Sequence, residues 1–282
     1  PPQHLDQDMI EQIVDYTTRI TLELQVKGAV NIQFVVSKGK LYIIEVNPRS
    51  SRTVPFLSKV THVPMVELAT RIALGETLQG MGYSSGLMPA KPHVAAKAPV
   101  FSFSKIGLAE IALGPEMKST GEVMGIGRTY SEALYKAVNG AKMKIPAGGT
   151  ILVTVADRDK EEALQLAKGF RELGYSIIAT VGTGKYFAEH GFSVEIVKKL
   201  HEGGQTIADL IRNGKIDLVL NTLTFGKHPE RDGFNLRRMA VEMAIPCLTS
   251  LDTAREVLRV FGNTGKSEGY HHVAALQDYD MD

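Results

Sequence analysis

A carboxylate and an amide two residues apart, Glu45 and Asn47, open the chemistry of this sequence in the string Glu45-Val46-Asn47-Pro48-Arg49-Ser50-Ser51-Arg52. On a β-strand, residues at that spacing project to one face. Both side chains offer hard oxygen donors, which suit Mg²⁺ bridging nucleotide phosphates. Pro48 has no N–H to donate and so ends the strand's pairing. Arg49 and Arg52 follow at once as cationic forks for phosphoryl oxygens. Gln33, in the preceding β-rich run, adds another oxygen. It lies beside Glu45 only if the hairpin loop holds an odd number of residues, such as Lys38-Gly39-Lys40 with Gly39 left-handed. A two-residue turn throws Gln33 to the other face. On spacing alone, a solvated hairpin with ordinary charges explains these residues equally well.

A second constellation is Thr180-Val181-Gly182-Thr183-Gly184-Lys185, where a strand runs into a helix. Small residues admit close backbone approach, hydroxyls and free N–H groups can donate, and the helix dipole favours an anion. Many such crossings contain Gly simply to turn, so on its own the string reads better as a plain connection. Gly121-x-x-x-Gly125-x-Gly127 lacks the order of a dinucleotide fingerprint and a following acidic partner, and is set aside. His271-His272 have no carboxylate or cysteine neighbours and read as solvated, His190 as a helix-end residue and Cys247 as a small core hydrophobe.

These residues need elements to position them. Residues 6–27 carry an amphipathic helix pattern, with Asp6 as N-cap, Ile10, Ile13, Val14, Thr17 and Leu24 at helical spacing, and Gly28 as the stop. Val30–Val36 and Leu41–Val46 predict a hairpin. A helix is expected from Pro64 to Gly75, strands at Pro99–Phe103 and Glu122–Met124, and a helix to Met143 opened by a Thr129-x-x-Glu132 capping box. Lys144-Ile145-Pro146-Ala147-Gly148-Gly149 is the best linker. Beyond it, strand runs at 150–155, 176–180, 193–197, 216–221 and 245–249 alternate with helix patterns at 159–173, 184–190, 205–212, 235–243 and 252–261. That alternation predicts βαβ units and a parallel sheet. The expected domains are thus 1–143 and 150–282, joined by 144–149.

Composition narrows the classes. A chain of 282 residues is long enough for two domains, and 44% hydrophobic residues suffice for two cores. A net charge of +1, with no long basic block, argues against nucleic acid as partner. No apolar run approaches the ~20 residues of a membrane span. Cys247 stands alone, so no internal disulfide forms, which fits a reducing cytoplasm.

Gln33, the string at 45–52 and Thr53-Val54-Pro55-Phe56 resemble the metal-binding hairpin of the ATP-grasp domains in carbamoyl phosphate synthetase. The run Leu113-Gly114-Pro115-Glu116-Met117-x-Ser119-Thr120-Gly121-Glu122-Val123-Met124-Gly125 resembles the carbamate-phosphorylating half of that family's large subunit. The similarity covers essentially the whole chain. It implies an α/β protein: the C-terminal portion of an ATP-grasp domain, then a doubly wound, methylglyoxal-synthase-like allosteric domain with a parallel sheet. By the same resemblance, Gln33, Glu45 and Asn47 hold Mg²⁺ or Mn²⁺ with ATP, and Arg49 and Arg52 grip carbamate and the transferred phosphoryl group. Catalysis is then positioning and charge neutralisation. The full enzyme, with a glutamine amidotransferase small subunit, joins bicarbonate, ammonia and ATP into carbamoyl phosphate. An upstream subdomain and lid that enclose ATP have no counterpart here, so a half-site without turnover of its own is expected. The opening Pro1-Pro2-Gln3, without methionine, is expected of a fragment, a natural split subunit being the alternative.

For the second domain the resemblance implies an effector pocket of Lys160, Thr180, Gly182, Thr183, Lys199, Asn221 and Thr222, taking uridine monophosphate or a purine nucleotide. His201-Glu202, Lys227 and Arg231 are further candidates for its margin. Two departures matter. Leu223 stands where relatives carry a second threonine, and Lys97-Ala98 stands where ornithine-responsive relatives have Lys-Glu. Loss of that carboxylate leans the chain toward pyrimidine synthesis, with arginine synthesis left open. Two rivals remain: a methylglyoxal synthase-type lyase, and a sensing or homo-oligomerisation module. Against the lyase, Gly203-Gly204 run into Gln205-Thr206, and no carboxylate follows until Asp209.

Overall fold

A computed structural model describes residues 2–105, 110–114, 116–198, 206–223, 232–262 and 274–280. The chain forms two compact units, Pro1–Ala95 with Val273–Asp282, and Ala96–His272.

In the first unit, α1 (Gln7–Glu23) starts where the Asp6 carboxylate accepts the Met9 N–H at 2.8 Å. It stops earlier than the sequence pattern suggests, because the chain turns at Gln25 with φ of 49°. Strands β1 (Asn31–Ser37) and β2 (Lys40–Asn47) pair antiparallel. α2 (Thr53–Thr61) is absent from the sequence reading, where Pro55 weakens the pattern. Proline is harmless at that position, since the first N–H groups of a helix have no partner anyway. His62, with φ of 58°, breaks the chain before α3 (Met65–Ala73), which begins after Pro64 as expected. Among the described residues of this unit only Met9, Val54, Val63 and Leu68 are buried hydrophobics.

The boundary between units falls inside β3 (Val94–Val100), which pairs with β4 (Gly121–Gly127). The sequence places that first strand later, at 99–103; a 3₁₀ turn occupies Phe103–Lys105 instead. α4 (Tyr130–Gly140) begins with the Thr129 hydroxyl accepting the Glu132 N–H. The Glu132 carboxylate takes the Arg128 N–H and not that of Thr129, so the expected capping box is half made. A Cβ on Gly125 would sit 2.0 Å from the Ala133 carbonyl oxygen and 2.4 Å from the Ala137 nitrogen. The glycines of that motif therefore let α4 lie directly on β4.

The rest of the second unit is a five-stranded parallel sheet in the order β7 (Glu195–Val197), β6 (Tyr175–Thr180), β5 (Gly149–Thr154), β8 (Leu218–Asn221), β9 (Cys247–Leu248). Its connecting helices are α5 (Lys160–Glu172), α6 (Val181–Glu189), α7 (Ile207–Arg212) and α8 (Asp232–Glu242), and α9 (Leu251–Gly262) follows β9. Central strands are apolar on both faces, as helix-covered parallel strands must be. Ile151, Val153, Leu218 and Leu220 face α5 and α9, through Leu164, Ala167, Phe170, Ala254 and Val257. Leu152, Ile178 and Val219 face α7 and α8, through Ile207, Ile211, Leu236 and Ala240. The residues expected to link domains join the first of these cores: Ile145 is buried in it, and the Tyr175 hydroxyl donates to the Pro146 carbonyl. Val138 and Met143 pack on the same core, and Tyr135 meets Phe261 at 5.4 Å between rings.

Candidate functional site: an oxygen-bearing hairpin and a hydroxyl-lined crevice

The β1–β2 turn has two residues, Lys38 and Gly39, at φ of 51° and 73°, with Ser37 opposite Lys40. Left-handed values at both positions match the right-handed twist of the strands. From that turn alone, Gln33 would face Ile44. Phe34 pairs with Ile43, however, and Gln33 with Glu45, so Ile44 is a bulged extra residue. The bulge restores what the turn removes: Gln33 does lie beside Glu45, by a route the sequence reading did not contain. Asn31 pairs with Asn47, bringing a further amide opposite the predicted set. Two-residue spacing then gives Asn31, Gln33, Glu45 and Asn47 one strand-pair face.

Arg49 donates to Asn47 Oδ1 at 3.3 Å and to the Ser50 carbonyl at 2.9 Å, which folds its guanidinium back toward that face. Arg52 lies at the entry to α2. The donors are one carboxylate and amide oxygens, suited to a hard dication that keeps waters or phosphate oxygens. No cluster of three or more His, Cys, Asp or Glu suited to a metal occurs among the described residues. Any ion here would therefore rely on Glu45, the amides and its ligand's own oxygens.

In the second unit, β5 and β8 lie side by side, and their following connections lead to opposite edges of the sheet. Such a switch point leaves a crevice at the strands' carboxyl ends. Thr154 and Asn221 are register partners there. Thr180 ends β6 and shares a hydroxyl hydrogen bond of 3.2 Å with Thr154. Thr183, in the first turn of α6, accepts the Val155 N–H at 3.4 Å, and Thr222 accepts that of Ala156 at 2.9 Å. Thr180, Thr183, Asn221 and Thr222 are all buried. The Thr180 side chain makes no capping bond, so it does not occupy the helix's first N–H groups.

Lys160 approaches the same helix end: its Nζ is 3.8 Å from where a Cβ on Gly182 would stand. Its side chain is 16% exposed and pairs at 2.7 Å with Asp157, whose side chain is 95% exposed. The Lys160 hydrogen bond and charge hold the Asp157 carboxyl below its ordinary pKa. A nearly buried ammonium with a fully solvated partner can exchange that partner for a phosphate. Arg158 donates across the crevice to the Leu223 carbonyl at 2.8 Å.

The structure thus gathers Lys160, Thr180, Gly182, Thr183, Asn221 and Thr222. Lys199 lies outside the described residues, as do His201-Glu202, Gly203-Gly204, residues 226–231 and His271-His272. Asp232 and Gly233 open α8. Sequence reasoning missed Thr154, Glu110 and Arg237. Arg237, buried on α8, donates to Asn221 Oδ1 at 2.7 Å and grips Glu110 through Nε at 2.8 Å and through Nη2. Burial alone would raise the Glu110 carboxyl; hydrogen bonds from Arg237 and the Ala112 N–H, with the charges of Arg237 and Lys118, outweigh it and hold the pKa below the ordinary value. Asp209 caps α7, accepting from the Thr206 N–H at 3.0 Å and hydroxyl at 2.9 Å, and those bonds lower its pKa. Cys247 is raised to about 12 by burial, which leaves its thiol inert, as a core residue.

Residues 1–81 match the family described as carbamoyl-phosphate synthase L chain, ATP binding domain. Residues 162–249 match the MGS-like domain family. Among solved structures, a methylglyoxal synthase from Elizabethkingia anophelis NUHP1 is 22% identical over 40% of this chain and 79% of its own, with a TM-score of 0.33. ForH is 20% identical over 48% of this chain and 88% of its own, with a TM-score of 0.32. No helix among the described residues is long and apolar enough to cross a membrane.

Proposed function

This chain joins sequence of the carbamoyl-phosphate synthase large-chain ATP-binding domain to an MGS-like domain, and from that order we propose that it is the part of the large subunit that helps phosphorylate carbamate and senses a nucleotide. The observation that carries the sensing role is the crevice itself. Lys160 and the hydroxyls of Thr180 and Thr183 converge on the first turn of α6, where N–H groups and the helix dipole favour a phosphate. Uridine monophosphate and purine nucleotides fit this chemistry, and Lys199 would add a second cation from sequence.

The lyase reading needs a carboxylate free to abstract a proton. Asp209 is engaged as a helix cap, and Asp157 is paired with Lys160; both have lowered pKa values and make weak bases. Binding without elimination is the better reading.

In the first unit, Gln33, Glu45 and Asn47 would hold Mg²⁺ or Mn²⁺ beside ATP. The ion would supply charge neutralisation at the phosphates. Arg49 and Arg52 would orient carbamate and the phosphoryl oxygens. A glutamine amidotransferase partner would provide ammonia in the cytoplasm for pyrimidine synthesis.

Calorimetric titration with uridine monophosphate tests the sensing role. Lys160→Ala should weaken saturable binding by about 1.5–3 kcal/mol, one charge-assisted contact. No binding by folded wild type removes that nucleotide and leaves purine nucleotides and phosphorylated ribose. For the hairpin, Mn²⁺ titrated with ATP present, followed by water-proton relaxation, should bind at least tenfold more weakly to Glu45→Gln. Equal binding by both proteins would remove Glu45 from the ligand set.

A further inference from the structure

The polar floor of the crevice continues past Asn221. That side chain donates through Nδ2 to the Thr154 carbonyl at 2.9 Å and accepts from Arg237 through Oδ1. Its orientation is unambiguous, because a guanidinium only donates and must face the amide oxygen. Among the described residues, one amide hydrogen and one lone pair remain for a ligand. Arg237 turns the rest of its fork on Glu110, so a 5% exposed cation is held between the crevice and a carboxylate 127 residues away in sequence. Glu110 accepts the Ala112 N–H at 2.9 Å, and Ile111 and Ala112 are buried beside it. Lys118 then ties the segment down, donating to the Ala112 carbonyl at 2.7 Å and the Glu110 carbonyl at 3.2 Å, three residues before β4 begins. A second strut, from Arg238 to the Phe103 carbonyl at 3.1 Å, joins α8 to the turn after β3.

A buried ion pair is a poor way merely to glue a helix in place, since apolar residues of similar volume do so at least as well. Its distinctive property is directional: a rigid fork fixes two partners at once. Resting on the nucleotide-pocket reading, we infer that Arg237 is a positioning residue of the crevice, orienting the Asn221 amide for the ligand and linking crevice occupancy, through Glu110, to the segment that leads into β4. Any ligand that engages Asn221 must act against or with that fork, whose other arm holds Glu110.

Amide hydrogen exchange on the whole chain, with and without saturating uridine monophosphate, tests the link. In wild type the nucleotide should slow exchange at residues 121–127 by at least threefold. Glu110→Gln keeps the side chain's size but removes its charge, and at saturating nucleotide this slowing should disappear. Arg237→Gln should weaken nucleotide binding at least tenfold; if it fails to fold, Arg237→Lys, which keeps charge without the fork, carries the same expectation. Slowing that persists in Glu110→Gln, or wild-type affinity in the Arg237 variant, overturns the inference.

A ligand-free comparison separates this from the pocket reading. Without nucleotide, Glu110→Gln should speed exchange at the Ala156 amide at least threefold relative to Ile211, because Thr222, which holds it, follows Asn221. No such change overturns the link whatever the nucleotide does. The change together with no nucleotide binding upholds the link and overturns the nucleotide reading instead.

Discussion

The two candidate sites place their polar groups in opposite settings. On the hairpin, Gln33 and Glu45 stand in the open, among exposed Val35, Val36, Tyr42, Ile43 and Ile44. Their positions are set by backbone pairing alone, through a two-residue turn and one bulge. In the crevice, Thr180, Thr183, Asn221, Thr222 and Arg237 are buried, the first four bonded to residues 154–156 and Arg237 to Asn221 and Glu110. Backbone register is a coarse device: it puts oxygens on one face and leaves side chains to adjust around an ion. A buried network holds each donor in one direction, because in a low-dielectric setting an unpaired group is costly. Substitution should therefore be tolerated on the hairpin and punished in the second unit.

The largest expected effect lies where the second unit allows no slack at all. Gly125→Ala puts a methyl group against backbone atoms of α4, which cannot rotate away. It should cost about 3 kcal/mol or somewhat more, the upper end for overpacking, read as a lower denaturant midpoint. A cost below about 1 kcal/mol would show that α4 can lift off β4. Next is Arg237→Met, which leaves Glu110 without its cation. Because the Glu110 side chain is 33% exposed, water recovers part of the loss, and about 2–3 kcal/mol is expected, below the range for a fully buried pair. The double variant with Glu110→Leu should recover much of it. If instead the double variant is as unstable as the sum of the two, the pair is not coupled.

Acid titration sharpens the same point with a sign. The folded pKa of Glu110 is depressed, so its contribution is fully present above the unfolded value, about 4.3, and is lost as pH falls through the lower folded value. Glu110→Gln should be less stable than wild type at neutral pH, and the gap should close in acid below about pH 4.3. A gap that widened in acid would mean that the carboxyl is raised in the folded protein and that burial outweighs Arg237.

Much of this contrast was legible in the sequence, and what was hidden follows a pattern. Alternating apolar runs and helix patterns revealed the parallel sheet, because strands buried on both faces and amphipathic helices write different periods. Asp6, Thr129 and Pro64 marked helix starts through local chemistry, while Gly28 placed the end of α1 too late. Glu45 and Asn47 were placed together because donors two apart on a strand share a face, while Gln33 was expected beside them only through an odd-numbered loop, which the structure does not have. The bulge at Ile44 was invisible: an apolar residue beside another apolar residue carries no sign of being the extra one. Arg237 and Glu110 read as unremarkable charges, since nothing local announces a partner 127 residues away. Thr154 looked like the end of a core strand, and only the register with Asn221 shows that it borders the crevice. The glycines at 125 and 127 were set aside as a nucleotide motif, and their packing role needed α4 in place.

The smallest expected effect tests the hairpin's own rule. Lys38 holds a φ of 51°, a region that costs an ordinary side chain strain, while Gly39 beside it does not suffer. Asparagine visits that region readily through its short polar side chain. Lys38→Asn should therefore stabilise the hairpin by about 0.5 kcal/mol, seen as slower exchange at the paired amides of β1 and β2. Register should not move, because Asn-Gly favours the same two-residue turn. Cysteines placed at 33 and 45 should then cross-link in both wild-type and Lys38→Asn backgrounds, while cysteines at 33 and 44 should not. Cross-linking through 44 would mean that the bulge slips along the strand. Glu45 would then leave the face of Gln33, and the oxygen set would depend on a ligand to assemble it, which is the opposite of the crevice, where protein bonds fix the donors before any ligand arrives.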